Sequence, residues 1–190
     1  PVRFITNKSS GKQGYALAKS LARRGFQTTL ISGPTNLHAD DNINLIKVET
    51  ADEMFKATQE NLPADVAIFS AAVADFKIKE RKNQKIKKQE YLNLELEKNI
   101  DILNYISKHN SFRPKLVIGF AAETNDIQEN AKKKLIEKSC DWMIANDLSN
   151  NSIGFDSDFN EVSIFYKDKE IKDEKLAMKK KSEISEEITD

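Results

Sequence analysis

The chain has 190 residues, 39% of them hydrophobic, enough to bury one core and too few for two ordinary domains. Thirty basic residues balance thirty acidic ones, so no global field draws the protein to nucleic acid or to an anionic membrane, and any polyanion it binds must meet a local cluster. The single cysteine, Cys140, excludes an internal disulfide; with no apolar run near the ~18 residues of a membrane span and no signal peptide, the expected compartment is the cytoplasm.

In chain order, only Val2 to Thr6 stand ahead of the loop Asn7 to Gly14, too short a run for a central strand. A helix is expected from about Lys12 to Arg24, with Ser9 or Ser10 able to cap it, Gly25 able to stop it, and Leu17, Ala18, Leu21 and Ala22 as its apolar face. Strands follow at Thr28 to Ser32 and Leu45 to Val48, a helix at Asp52 to Glu60, and a strand at Val66 to Ser70. Lys77 to Lys88 carries seven basic residues against the single acid Glu80 and reads as a mobile basic loop. Beyond it come helices at Ile100 to Lys108 and Ile127 to Lys138, and strands at Leu116 to Phe120, Trp142 to Ala145 and Val162 to Tyr166. Gly33-Pro34 and Arg113-Pro114 punctuate the loops. From Lys167 onward, mixed charge with a weak apolar spacing at Leu176, Ile184 and Ile188 suggests a solvated helix or a frayed tail.

Short β-branched runs alternating with helical patterns give the fold class: doubly wound, Rossmann-like α/β, a mainly parallel sheet flanked by helices, in a single domain over residues 1–190. Such folds open with a strand running into the first helix, so the first strand is expected to be missing from this chain, as in a fragment of a longer protein.

Several stretches bear on chemistry. The free N–H groups of Asn7 to Gly14, at the start of a helix, are suited to phosphate or carboxylate oxygens, with Gly11 and Gly14 allowing close approach; a capped helix start without ligand is the plain alternative. Ala71 to Phe76 follows a strand with small side chains and one carboxylate, Asp75, which could accept from a ribose hydroxyl or help hold a phosphate-bound metal, or merely cap a turn. Lys85-Ile86-Lys87-Lys88 could neutralise a triphosphate or be a solvated charge run. Gly119 to Thr124 is a second small-residue turn after a strand, and its Phe120 suits either a base or the core. Lys134 and Lys138 share a helix face. His38 and His109 share no metal-ligand spacing with Cys140.

Taken in order, Val2 to Gly14, Ala71 to Phe76, Lys85 to Lys88, Gly119 to Thr124 and Ala145-Asn146-Asp147 resemble the bacterial phosphopantothenate–cysteine ligases, over Pro1 to about Tyr166. The resemblance implies an enzyme of coenzyme A biosynthesis. The carboxylate of 4'-phosphopantothenate attacks the α-phosphate of CTP, pyrophosphate leaves, and the cysteine amine opens the acyl-cytidylate, with CTP as co-substrate and Mg2+ as cofactor. It further implies that Ser70, Ala71, Asp75, Lys85, Phe120, Lys134, Lys138 and the segment Ile100, Asp101, Ile102 and Leu103 bind the nucleotide, the last four through backbone contacts to cytosine. Asn7 and Lys85 would be catalytic, Asn7 with Ser9, Ser10, Gly11 and Ala72 would meet the acyl substrate, and Asp75 is the candidate metal ligand. The family implies a homodimer and an upstream flavin-dependent decarboxylase domain. Ile100 departs from the proline common there.

Two other readings compete. An NAD(P)-dependent reductase is favoured by the Ser-x-Gly-x-x-Gly loop and opposed by Ser32 and Gly33 where an acidic residue should close the second strand. A non-catalytic nucleotide-binding module is the other.

Overall fold

The computed structural model describes residues 7, 9–80, 93–148 and 157–190. Gly11, at φ 75, takes the cap position of the first helix, α1 (Lys12–Arg23), in place of Ser9 or Ser10, and the Ser10 hydroxyl accepts from the Lys12 N–H at 3.5 Å. Gly25, at φ 87, ends it as expected: its N–H donates to the Ala22 carbonyl and that of Phe26 to the Leu21 carbonyl. The chain continues through β1 (Thr28–Ser32), β2 (Ile43–Lys47), α2 (Ala51–Glu60), β3 (Val66–Phe69), β4 (Phe76–Ile78), β5 (Leu96–Lys98), α3 (Ile102–Ser107), β6 (Leu116–Glu123), α4 (Ile127–Lys138), β7 (Trp142–Asp147), β8 (Phe159–Tyr166), β9 (Glu174–Lys180) and α5 (Lys181–Ile188).

The α/β reading holds. β1 and β2 pair in parallel, as do β3 with β6 and β6 with β7, while β8 and β9 extend the central sheet antiparallel in the order β3-β6-β7-β8-β9. Among the described residues β1 and β3 do not pair, so the parallel strands form two sheets.

The alternation along β6 explains the layers. Val117 and Ala121 join Ala131 and Leu135 of α4 in one core cluster, with Met143, Ala145 and Phe165. Ile118 joins Leu17 of α1 and Ile184 and Ile188 of α5 in another, with Ile144, Val162 and Ile164. Odd and even residues of one strand thus face different helix layers, as a two-residue period requires. The first helix also reaches the smaller sheet, where Ala18 and Ala22 pack with Ile43 and Leu30.

Two expectations need correction. Lys77, placed in a loop, lies in β4, which pairs antiparallel with β5. Its ammonium is held by Asp52 at 2.9 Å and Glu97 at 3.7 Å, and that of Lys79 by Glu95 at 3.2 Å, so carboxylates of neighbouring elements neutralise the start of the basic stretch. Lys85 to Lys88 lie outside the described residues. The second correction concerns the segment from Lys167, expected as a solvated helix or frayed tail: it contains a strand and a helix, with Ile184 and Ile188 buried and Leu176 packed beside them. The change from strand to helix between Leu176 and Ile184 explains why no single apolar period was visible.

Gly119 in β6 is where α3 comes closest to the sheet: an added Cβ would stand 2.6 Å from Leu103 Cδ2 and 3.1 Å from Met143 Cε. Gly119→Ala should therefore lower stability in denaturant unfolding by about 1–2 kcal/mol through overpacking. Gly33→Ala, with nothing within 4 Å of the new methyl, should stay within about 0.5 kcal/mol of the parent. Equal stability of the two variants would contradict the packing account. Desolvation pushes the buried Cys140 thiol up to about 11. At about pH 8 only about one molecule in a thousand then carries a thiolate, so a disulfide reagent should modify Cys140 only after denaturation, and rapid modification of the native protein would contradict this burial.

Candidate functional site

The loop before α1 is held from two sides. On one side the Asn7 side-chain amide donates to the carbonyls of Ala72 and Val73, 3.3 Å each, and Gly14 stands against Ser70, whose Oγ would be 3.0 Å from an added Cβ. Gly14 thus serves close packing of the helix on β3 rather than the anion approach expected from sequence. On the other side Thr35 Oγ1 donates to the Ser10 carbonyl at 3.3 Å, and Thr35, Leu37 and Tyr15 surround Gly11. Ser10 and Gly11 are half-buried and Ser9 is exposed. Beside this loop, at the C-terminal ends of β1 and β2, Tyr15, Gly33, Pro34, Thr35, Lys47 and Glu49 line an open cavity of about 240 Å3.

The turn after β3 carries Ser70, Ala71, Ala72 and Asp75. Asn99 pins it, with its Nδ2 donating to the Ala74 carbonyl at 2.7 Å and its N–H to the Asp75 carbonyl at 2.8 Å. The Asp75 carboxylate is left exposed. Ile100 is exposed, and Asp101 caps α3 by accepting from the Asn104 N–H at 2.9 Å. Ile102 is buried and Leu103 packs against the core, so these two have only backbone to offer a ligand.

Across the edge stand Lys134 and Lys138, two of the four lysines of α4. Lys134 Nζ lies 2.7 Å from Glu123 Oε1, and Lys138 is paired with Asp101. Phe120 does not join this group through its ring, which packs against the cluster containing Leu17 and Ile118. Asn7, Ser70, Ala71, Ala72 and Asp75 therefore gather with the α1 loop, and Asp101, Lys134 and Lys138 with the end of β6; Lys85 lies outside the described residues.

Three sets of contacts escaped the sequence reading, although Glu123, Asn146 and Gln13 stand within motif blocks named from the sequence. Glu123 stands inside the Gly119 to Thr124 turn, and a carboxylate closing a run of small apolar residues was a usable signal. Asn99 offered none, being one polar residue in a charged stretch. Asn146 accepts from Asn160 Nδ2 at 2.9 Å, the same nitrogen meets Gln13 Oε1 at 3.2 Å, and Gln13 Nε2 donates to Ser185 Oγ at 2.8 Å. This chain of side chains ties the first turn of α1 to β7, β8 and α5. At the loop itself Lys12 pairs with Asp158 at 2.6 Å and holds that carboxyl below its usual range. Such an edge, with neutral donors on one side and lysines on the other, suits a ligand that is both acyl and polyanionic.

Comparison with known proteins bears on the family and the fold. The coenzyme A biosynthesis bifunctional protein CoaBC of Haemophilus influenzae is 40% identical over 190 residues, covering 99% of this chain and 46% of that protein, so the chain spans less than half the length of this relative. The solved C-terminal domain of a CoaBC protein superposes with a TM-score of 0.79 at 36% identity, covering 100% of this chain and 84% of that one. A Cab2 variant in complex with phosphopantothenate-cysteine shares the fold, with a TM-score of 0.65 at 16% identity over 98% of this chain and 78% of that one. The family model described as the DNA/pantothenate metabolism flavoprotein C-terminal domain matches residues 1–190, and with a 40% identical relative spanning nearly the whole chain, this protein belongs to that family.

Proposed function

We propose that this domain is an amide ligase of coenzyme A biosynthesis that joins L-cysteine to 4'-phosphopantothenate through an acyl-cytidylate, consuming CTP and releasing CMP and pyrophosphate. The observation that carries the proposal is the pair of 3.3 Å hydrogen bonds from Asn7 to Ala72 and Val73, which bring the α1 loop and the small-residue turn onto one sheet edge. The names of the 40% identical relative and of the phosphopantothenate-cysteine complex of like fold support the same substrate class.

A carboxylate acylates an amine only after its oxygen becomes a good leaving group, and attack on a phosphoric anhydride supplies that. Ser70, Ala71, Asp75 and the backbone of residues 100–103 would meet the nucleotide, and Ser9, Ser10, Gly11 and Ala72 the acyl group. Lys85, Lys134 and Lys138 would absorb the charge that grows on phosphate as pyrophosphate leaves. The uncharged Asn7 amide, on giving up one of its two carbonyl contacts, would support the acyl carbonyl as the cysteine amine attacks. Among the described residues no three carboxylate, histidine or cysteine groups gather to hold a metal, while Asp75 is exposed beside the turn. Asp75 would be the candidate ligand for Mg2+, which would damp the triphosphate's charge.

Dimerisation belongs to the proposal. The β4–β5 pair is a two-stranded ribbon, marginal in water by itself, and leaves Phe76 and Leu96 about half exposed, as a contact surface for a second copy would. An upstream flavin-dependent decarboxylase in the full-length protein and a cytoplasmic location complete the reading; among the described residues no helix is long and apolar enough to cross a membrane.

Pyrophosphate release in the presence of phosphopantothenate should depend on CTP, with ATP a poor substitute; release under neither triphosphate would refute the proposal. Lys85→Gln should slow acyl-cytidylate formation by about 100-fold, the scale of an electrostatic contact in a closed site. Asn7→Asp, which sets negative charge beside the developing oxyanion, should spare that step and slow amide formation, so that intermediate accumulates. Single-turnover mixing with mass detection of the intermediate separates the two, and equal loss of both steps in both variants would overturn these roles.

A further inference from the structure

Each α4 lysine at the nucleotide edge is tethered by a carboxylate from another element, and the two tethers differ. Asp101 and Lys138 are both more than a third exposed, an arrangement worth little electrostatically, and Asp101 has the separate task of capping α3. Glu123 is different. Its side chain is 9% exposed, while that of Lys134, 2.7 Å away, is 41% exposed.

The carboxylate is fixed before the lysine arrives. Glu123 is the last residue of β6, it stands in register with Asp147 of β7, and its carbonyl accepts from the Leu148 N–H at 2.8 Å. Although Glu123 Oε1 is buried, no donor among the described residues meets it at a hydrogen-bonding angle, so its contact with Lys134 is an ion pair made by proximity. Sinking a charge without full hydrogen bonding is costly, and stability alone would be served as well by an apolar pair at these positions. What the arrangement achieves is to hold one ammonium at a set place on the rim, on a side chain that is still 41% exposed.

We propose that Glu123 is a positioning residue for the triphosphate, acting through Lys134. Immobilising a long lysine normally counts against ligand binding; here the restriction is already imposed in the free protein. The carboxylate also screens the ammonium until phosphate oxygens approach. The inference rests on the nucleotide reading of the site given above.

The test is a double-mutant cycle in steady-state kinetics on the full-length protein, varying CTP, phosphopantothenate and cysteine in turn. Glu123→Gln, nearly isosteric, should raise the KM for CTP on the order of tenfold, the size of one charge-assisted contact, and leave the KM values for the other two substrates within about twofold. In a Lys134→Met background the same change should add nothing further, since Glu123 acts only through that lysine. Additive effects in the cycle, or an equal rise in all three KM values, would overturn the proposal. If Glu123→Gln does not fold, Glu123→Asp keeps the buried charge and withdraws it by one methylene; it should give a smaller rise confined to CTP, and an unchanged KM would count against the tether. Failure of the parent protein to release pyrophosphate from CTP would instead refute the functional reading, so the two failures are distinguishable.

Discussion

The structure depends on one constraint: β6 must be covered on both faces at once. Its residues alternate between two apolar clusters, so neither helix layer alone can bury the strand. Close cover is what makes Gly119 necessary, because α3 and Met143 leave no room for a methyl there. It also decides where polar groups can stand. Within β6 only the last residue, Glu123, carries a charge, at the edge where the sheet stops and ligands of open α/β folds bind.

The opposite end of β6 is secured by ionic contacts of a different kind. The Arg113 guanidinium meets both carboxylate oxygens of Asp141 at 2.9 Å and donates through Nε to the Ser107 carbonyl at 2.7 Å, while Asp141 Oδ2 accepts the Val117 N–H at 2.8 Å. This fork joins the end of α3, the start of β6 and the start of β7 with every group in hydrogen-bond contact, the geometry in which an ion pair stabilises. The contrast with Glu123 is informative. Where the task is to join elements the ions are fully bonded; where a ligand is expected the carboxylate is left short of donors.

Much of this was legible in the residues. The bounds of β1 and α4 match the pattern reading because each is flanked by turn signals, Gly25 and Gly33-Pro34 around β1 and Asn125-Asp126 ahead of α4. β4 and β5 were missed because three-residue strands have no measurable period, β9 because most of its residues are exposed, and α5 was expected only as a solvated helix or frayed tail because its buried Lys181, Ile184, Ser185 and Ile188 stand among exposed glutamates. At the candidate site three of the motif blocks lie at the C-terminal ends of β3, β6 and β7. The pairings did not show, since Glu123 finds its partner 11 positions later and Asp101 finds Lys138 37 positions later, separations that only tertiary packing brings together. Gly14 illustrates a further limit: glycine spacing suggests backbone freedom without saying whether a ligand or a neighbouring strand fills the space.

The contact between α1 and α5 has a consequence for how the protein is made. Gln13 and Ser185 are 172 positions apart, and the apolar face of α1 is closed by Ile184 and Ile188. On the ribosome α1 emerges well ahead of α5, and the two can meet only after the residues between them have been synthesised. At about 5–20 residues per second that is a wait of roughly ten to thirty seconds with Leu17 uncovered, an interval in which chaperones or premature association compete for the same surface.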